Sequence, residues 1–566
     1  MKKKRIIIIL SIIIVVALST CLIFYFKNKN SKSSKNDVSS IDTNIKVDNG
    51  DEKIDWDSMK TTKVTLSKSL KITEEGVYIL TGTISNGSIT VNTDGNVKLV
   101  LNGVNITNNS GSAILVENAK NVVIETNEGT TNNLEDGSNY SNIEYDGCIY
   151  SKDDLVLQGS GTLNVTSNYS DAIVSTDDLK IVSGTYNIKS QDDGIRGKDS
   201  VYILGGTINI DSNADGIKST NDSDSTKGFI YIKNGTIVIN SVEDAIQAQT
   251  KLIIDDGNFD ITTNGGSGQS GSAVDKSFGR QTTYDETSAK GLKAESNLVI
   301  KGGNFKINSK DDAVHSNNDV GISNATMEIS SGDDGIHADS SVIIESGTIN
   351  ITKSYEGIEG KNITVNSGNI SLVSSDDGFN VSGGNDSSSM NGRPGQNGGM
   401  DADSGGVLTI NGGTIYVSAD GDGLDSNGSI TMTGGIVYVD GPTNNGNGAL
   451  DYNATFNISG GSLIAVGSSG MAQSTSTSSS QISIQYYLSG NYSDKLSIED
   501  SSGNVIFEYS PKKSYQNVVY SSGDLKEGET YTLKINGNSV GTVTASSIVN
   551  SNGSGNNYGM QRGGRR

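Results

Sequence analysis

Carboxylates recur through the middle of this chain at a fixed spacing, and that pattern suits the capture of a hard cation. Asp171, Asp193, Asp215, Asp244, Asp312, Asp334, Glu356, Asp377 and Asp422 each stand before Gly or Ala and then an apolar residue, as in Asp193-Gly194-Ile195. Neighbouring anchors are mostly 22 residues apart, once 21, and Lys290-Gly291-Leu292 fills the slot between Asp244 and Asp312. In stacked coils equivalent acids lie about 4.8 Å apart, where two carboxylates repel by roughly 3.5 kcal/mol at an effective dielectric of 20. Asp192-Asp193, Asp311-Asp312, Asp333-Asp334 and Asp376-Asp377 double the load, and Asp420, Asp422 and Asp425 form another tight set. Ca2+ takes several oxygen ligands at about 2.4 Å. It is therefore expected between coils at Asp192, Asp193, Asp215, Asp244, Asp311, Asp312, Asp333, Asp334, Glu356, Asp376, Asp377, Asp420, Asp422 and Asp425. The plainer role for any one of these acids is to cap a turn by accepting backbone N–H groups.

Three residues after each anchor runs a second row: Val174, Arg196, Lys218, Gln247, Lys293, His315, His337, Glu359, Asn380, Asp425, Asp451. It follows an inward Ile or Val, so it should face out, and it changes from basic to acidic along the chain. Arg196, Lys218 and Lys293 are expected to face an anionic polysaccharide, against the plain alternative of a solvated row. His315 and His337 would stack one coil apart, a spacing open to a transition metal. Tyr202 and Tyr231 align in consecutive coils, as do Tyr416 and Tyr438. They offer platforms for sugar rings or, equally, packing under an inserted loop. There is no nucleophile elbow, phosphate loop or Cys-rich metal motif. Acid pairs for glycoside hydrolysis occur in any acidic repeat and are nonspecific.

These side chains need a scaffold that repeats every 22 residues. Between anchors the chain alternates apolar and polar residues around Gly turns, as in Val201-Tyr202-Ile203-Leu204-Gly205-Gly206-Thr207-Ile208-Asn209-Ile210. Helical repeats need 33 or more residues and a 3.6-residue period, and propeller blades need about 40. A leucine-rich repeat would carry Leu as its main core residue and a helical segment, and neither occurs. Three short strands and three turns per 22 residues read as an all-β, right-handed parallel β-helix, in which stacked coils bury a continuous Ile/Val/Leu core. The expected limits are 61–475, with insertions at 221–227, 262–288 and 382–405. Residues 481–545 read as a small antiparallel β cap over the open edge, and 546–566 as a disordered tail.

The formal net charge is −22, yet the first 35 residues carry eight cations and no acid, so the remainder is near −30. Such a body repels nucleic acid and attracts cations. Cys21 and Cys148 are the two cysteines, which leaves no disulfide framework in the body. Lys2 to Arg5 precede an unbroken run from Ile6 to Phe26, long enough at about 30 Å to span a bilayer. Residues 1–26 are thus expected as a signal anchor and transmembrane helix, and 27–60 as a flexible polar linker. The body is expected outside the cell, as a monomer. A lipoprotein lipidated at Cys21 and a cleaved secreted form are the alternatives.

Several segments together resemble the clostridial carbohydrate-binding domain family. They are Gly76-Val77-Tyr78-Ile79-Leu80-Thr81-Gly82-Thr83, Val97 to Ile106, the Asp-Gly-Ile and Gly-Gly-Thr-Ile repeats, Gly470-Met471-Ala472-Gln473 and Gly528-Glu529-Thr530-Tyr531-Thr532. The resemblance covers about 64–545. It implies a β-helix that binds Ca2+ between coils and binds cell-wall polysaccharide, cellulose-like or pectic. The fold it implies is similar to that of β-helix pectate lyases, whose Ca2+ lies on acids of adjacent coils. By that likeness Asp192, Asp193, Asp215, Asp311, Asp312, Asp333 and Asp334 become ligands. Lys218, Lys290 and Lys293 are the nearest candidates for a base, although none aligns with the lyase motif. The expected function is calcium-dependent, non-catalytic polysaccharide binding. A Ca2+-dependent lyase is the first alternative and an adhesin or envelope scaffold the second.

Overall fold

Each coil is built from three short strands whose sequence alternates inward apolar with outward polar residues. The computed structural model describes residues 37–46, 53–268, 287–382 and 405–553. In one coil the strands are Ile195–Gly197, Ser200–Ile203 and Thr207–Ser212. Each pairs in parallel with its counterpart one coil on, with Ile195 opposite Ile217, Val201 opposite Ile230 and Ile208 opposite Ile237. Three strands per coil make three flat faces, called first, second and third here in that chain order. Like residues stack on like, so the interior is one continuous column of buried Ile, Val and Leu from Leu66 to Leu463. The fold is an all-β parallel β-helix. Among the described residues helix is limited to 3-10 turns such as Val38–Ser40 and Trp56–Ser58.

The 22-residue step is the length of one such coil. The insertions at 221–227, 262–288 and 382–405 leave the register of the flanking strands intact, since Ile246 pairs with Leu292 and Phe379 with Leu424. On the third face an amide ladder tracks the coils. Asn133, Asn164, Asn187 and Asn209 each donate Nδ2–H to the Asn one coil earlier, starting from Asn105.

After the last coil the pairing turns antiparallel. Ser462–Gly467 pairs with Tyr515–Ser522, which also pairs with Ser483–Tyr492. A separate four-stranded antiparallel sheet joins Leu496–Glu499, Val505–Tyr509, Thr530–Ile535 and Asn538–Thr544. Its core holds Tyr486, Tyr515, Tyr520 and Tyr531. Of the tail expected over 546–566, residues 546–553 are ordered on the cap and 554–566 lie outside the described residues. Val549–Ser551 pairs with Ser483 to Gln485, and Asn550 donates to the Ser483 carbonyl.

The linker expected over 27–60 also departs from a free stalk. Residues 37–46 lie as a strap along the second face, where Ile41 (5% exposed) and Val38 pack on Val299 and Ile343. A Cβ on Gly321 would meet Ile41 Cδ1 at 2.7 Å, so the face is notched to receive that side chain. Lys251 binds Asp42 at 2.7 Å, and Tyr202 donates to the Lys46 carbonyl at 2.8 Å. Trp56 lies under the Lys98 ammonium at 5.1 Å, and the first coil strand is Thr61–Leu66. The leader 1–26 lies outside the described residues, and among the described ones no helix is long and apolar enough to cross a membrane.

Candidate functional site

The anchor acids sit where the third face turns into the first, and one oxygen of nearly every Asp anchor ties two coils together. The Asp193 N–H donates to Asp171 Oδ1 at 3.0 Å, Asp215 N–H to Asp193 at 3.1 Å and Asp244 N–H to Asp215 at 2.8 Å. The pattern continues with Asp334 N–H to Asp312 at 2.9 Å and Asp422 N–H to Asp377 at 2.6 Å. The turn-capping role thus holds for the single acid. What differs along the rod is the partner of the other oxygen.

In the coils up to Asp312 that partner is a side-chain cation, from the second row or, for Lys290, from the anchor row itself. Arg196 bridges Asp171 and Asp146 at 2.6 Å each. Lys218 binds Asp215 at 2.7 Å and reaches Asp193 at 3.6 Å. Lys293 lies 3.3 Å from Asp244 and 3.4 Å from Glu295. Lys290 joins Asp311 at 2.9 Å and Asp312 at 2.8 Å. Arg196, Lys218 and Lys293 therefore fold back over the acids and do not project toward a polymer. The same pairs put an ammonium or guanidinium where Ca2+ was expected at Asp193, Asp215, Asp244, Asp311 and Asp312. Asp192 is exposed and accepts the Ser170 hydroxyl at 3.2 Å. Asp333 lies with Asp311 and Asp312, one oxygen from each within 4.8 Å of the others. Burial opposes charge on Lys290, but Asp312 and Asp311 outweigh it and hold its ammonium well above the usual range. Burial likewise pushes Asp312 up, and Lys290 followed by His315 overrides it, holding this carboxyl well below the usual range.

The two histidines mark the end of this cationic stretch. Their rings stack 4.8 Å apart at 10°. His315 Nδ1 meets Asp312 Oδ2 at 2.8 Å, and His337 Nδ1 lies 2.9 Å from Glu359 and 3.2 Å from Asp334.

Beyond His337 the anchor ladder runs on through Glu356, Asp377 and Asp422 with no second-row Lys or Arg beside it. Burial first, then Asp425 and Asp422, push Asp377 up to about 9. Burial with Asp422 and Asp451 takes Asp425 to about 8, and burial chiefly takes Asp422 to about 7. Glu356 rises to about 8 through burial and Glu359. One oxygen each of Asp422, Asp425 and Asp451 lies within 4.8 Å of the others. Asn380 stands in register with Asp425, and Asp425 with Asp451. Asn380 is 8% exposed; its Nδ2–H donates to Glu356 at 2.5 Å, while its Oδ1 is buried with no donor. A buried amide oxygen without a donor, among crowded carboxyls, is a set of hard oxygen ligands that fits Ca2+. Two expected members lie aside: Asp376 accepts the Tyr355 hydroxyl at 2.5 Å, and Asp420 binds Lys513 at 2.7 Å. Asn380 and Asp451 belonged to the second row of the sequence but not to the expected ligands. An amide in that row carried no sign that its oxygen would lack a donor.

The tyrosines divide. Tyr202 is 1% exposed, roofed by the strap and set edge-on to Phe229, so it is no platform. Tyr231 is half-buried and donates to Asp255 at 2.5 Å. Tyr416 and Tyr438 come together beneath the cap. The Lys512 ammonium sits 4.1 Å from the Tyr416 ring, and Tyr438 stacks on Tyr509 at 5.4 Å. Buried Asp440 accepts both the Tyr416 and Tyr509 hydroxyls at 2.9 Å and the Lys512 N–H at 2.9 Å. Sequence reasoning missed Asp440, Tyr509 and Lys512, because the cap residues are some 70 positions away from the coil they close on. A shallow groove of about 420 Å³ also runs along the third face past Val238, Asp260, Lys306 and Glu328.

The sequence profile of the carbohydrate-binding domain-containing protein family matches residues 67–335 and 333–553. A carbohydrate-binding domain-containing protein of Acetivibrio thermocellus is 34% identical over 160 residues, which are 27% of this chain and 56% of that protein. The match thus spans about half the length of the curated relative. Among solved structures, a polysaccharide lyase-like protein from C. thermocellum, a gadolinium derivative, is 33% identical over 36% of this chain and 91% of its own, with a TM-score of 0.35.

Proposed function

The chain belongs to the carbohydrate-binding domain-containing protein family, and on that premise we propose that its β-helix binds polysaccharide with the help of Ca2+ and without cleaving it. The observation that carries the calcium part is the cluster of Asp422, Asp425 and Asp451, in coils whose second row holds no Lys or Arg. Asp422, Asp425 and Asp451 would hold the ion, with Asp377 and the orphaned Asn380 Oδ1 in the coil before as further oxygen donors. Bound there, Ca2+ supplies positive charge on an otherwise acidic rod, which favours uronate-rich polymers over a cellulose-like chain, for which half-buried Tyr231 is the one expected ring not covered by the strap or the cap. Weak contacts repeated along a polymer add through avidity.

Binding is favoured over lysis by the state of the cations. A lyase base must give up its proton near neutral pH to take one from the substrate. Lys218 is held above its ordinary range, because Asp215 and Asp193 outweigh the burial that opposes its charge, and Lys290 is held the same way. The apolar leader would keep the body, as a monomer, on the outer surface of the cell.

The test is to pass the purified body over polygalacturonate and cellulose with Ca2+ and with chelator. Retention that falls with chelator, and no unsaturated uronides, is expected. Release of unsaturated uronides would replace binding with lyase activity. Failure to be retained on any glycan of a broad panel would leave an envelope scaffold.

A further inference from the structure

We propose that His337, Asp334 and Glu359 form a separate site for a divalent transition ion of the Zn2+ or Co2+ class. It shares no residue with the proposed Ca2+ ligands and stands without that reading. The chain has two histidines in 566 residues, and the fold puts them in adjacent coils with 3% and 0% exposure. Imidazole nitrogen is a poor ligand for Ca2+ and a good one for the borderline metals.

The distances from the imidazole nitrogen to both carboxylates are those of ligands sharing one ion. His337 Nδ1 is 2.9 Å from Glu359 Oε2 and 3.2 Å from Asp334 Oδ2, and the three atoms lie within 4.8 Å of one another. Ligands about 2.1 Å from a common metal, at angles between 90° and 110°, stand about 3.0–3.4 Å apart.

Each of the three side chains is also pinned from behind. His337 Nε2 meets Asp339 Oδ1 at 3.2 Å, and a carboxylate on the far ring nitrogen fixes the tautomer that offers the other nitrogen to a metal. Asp334 Oδ1 accepts the Glu356 N–H at 3.2 Å, and Glu359 Oε1 accepts the Ser382 hydroxyl. The ligand atoms are therefore preorganised by bonds that the ion would not disturb.

Charge points the same way. Asp334, Asp339 and Glu359 surround His337, and the Arg and Lys that neutralise the earlier coils have ended. A divalent ion would supply two positive charges beside this buried carboxylate pair. His315 stacks on His337, but its Nδ1 faces Asp312, which Lys290 already neutralises. One ligand atom each of Asp312, His315 and His337 also lies within 4.8 Å of the others, but Lys290 already holds Asp312 there, so His315 is assigned as a neighbour of the site.

The full chain, stripped with chelator, should take up one Co2+ with a visible ligand-field band that Zn2+ abolishes and millimolar Ca2+ leaves alone. His337→Gln should remove the band, and His315→Gln should keep it. Asp339→Asn should weaken affinity about 10- to 100-fold; it tests the site even if His337→Gln folds poorly. No band with the wild-type chain, a band that survives in a folded His337→Gln, or a band displaced by Ca2+ would each overturn the proposal.

Discussion

Replacing Lys290 by Met should destabilise the rod, and by more at pH 8 than at pH 4.5. Lys290 occupies an anchor slot otherwise filled by an acid, is buried, and touches Asp312 at 2.8 Å and Asp311 at 2.9 Å. At an effective dielectric of 20 each contact is worth roughly 6 kcal/mol before the cost of removing the charges from water. That cost cancels most of it, and deleting one member of a buried pair typically leaves a net loss of about 3–5 kcal/mol. A body of this size unfolds with an entropy near 1 kcal/mol per kelvin, so melting should fall by about 3–5 K. In the wild type the Asp312 carboxyl is held below the ordinary 3.8, against the effect of burial, by Lys290 first and His315 next. Its stabilisation is present above pH 4 and lost as pH falls through the lowered value. Without Lys290 burial dominates and the folded value moves above 3.8. The folded variant then holds a proton that its unfolded chain releases, and its penalty grows as pH rises. Differential scanning calorimetry at pH 4.5 and pH 8 reads the difference between variant and wild type. A gap equal at both pH values, or larger at pH 4.5, would refute the electrostatic account of the ladder.

Other outcomes follow from the same geometry. Asp377, Asp425 and Asp422 are raised to about 9, 8 and 7 from 3.8, by burial first and then by one another or Asp451. The folded state therefore holds extra protons between about pH 4 and pH 9, and stability of the chelator-treated protein should fall as pH rises through that window. Calcium at 100 times its Kd should restore about 2.7 kcal/mol, read as a melting shift at pH 8 that shrinks toward pH 5; a shift independent of pH would argue against these ligands. Asp440→Ala deprives the Tyr416 and Tyr509 hydroxyls and the Lys512 N–H of their acceptor. It should cost about 1–3 kcal/mol and speed hydrogen exchange at Lys512, and unchanged exchange there would contradict that contact. Ile41→Ala empties the notch over Gly321 and should cost the strap about 2 kcal/mol or more. Proteolysis within 37–60 should then quicken about 30-fold while the rod melts as before; equal cleavage rates would mean the strap is held by its polar bonds alone.

The repeat was legible because strand alternation, Gly turns and anchors recur at one period, so coil, core and acid ladder follow from spacing. What the spacing hid was the direction of each polar side chain. Arg196 and Lys218 occupy an outward slot, yet Arg196 folds back over acids of the two preceding coils and Lys218 over acids of its own and the preceding coil, a choice made by local charge and not by register. The strap escaped notice because 37–46 is polar and aperiodic, but its landing site carries a signal. Leu252-Ile253-Ile254, Leu298-Val299-Ile300 and Val342-Ile343-Ile344 are apolar at three successive positions, where a strand with one wet face would alternate. Ile253, Val299 and Ile343 are the outward residues of those runs, and all three are buried. Tyr202 could be read as a platform only while that cover was unknown. Asn380 shows the limit most clearly, since its place in the row was plain and its undonated oxygen depends on where Glu356 sits one coil back.

The central claim is best tested by isothermal titration of an oligogalacturonate into the Ca2+-loaded chain, the chelated chain and a folded Asp425→Asn/Asp451→Asn variant. Saturable heat is expected for the Ca2+-loaded wild type, and at least a tenfold weaker response from the other two. Equal affinity in all three would contradict calcium-dependent binding at this end of the ladder.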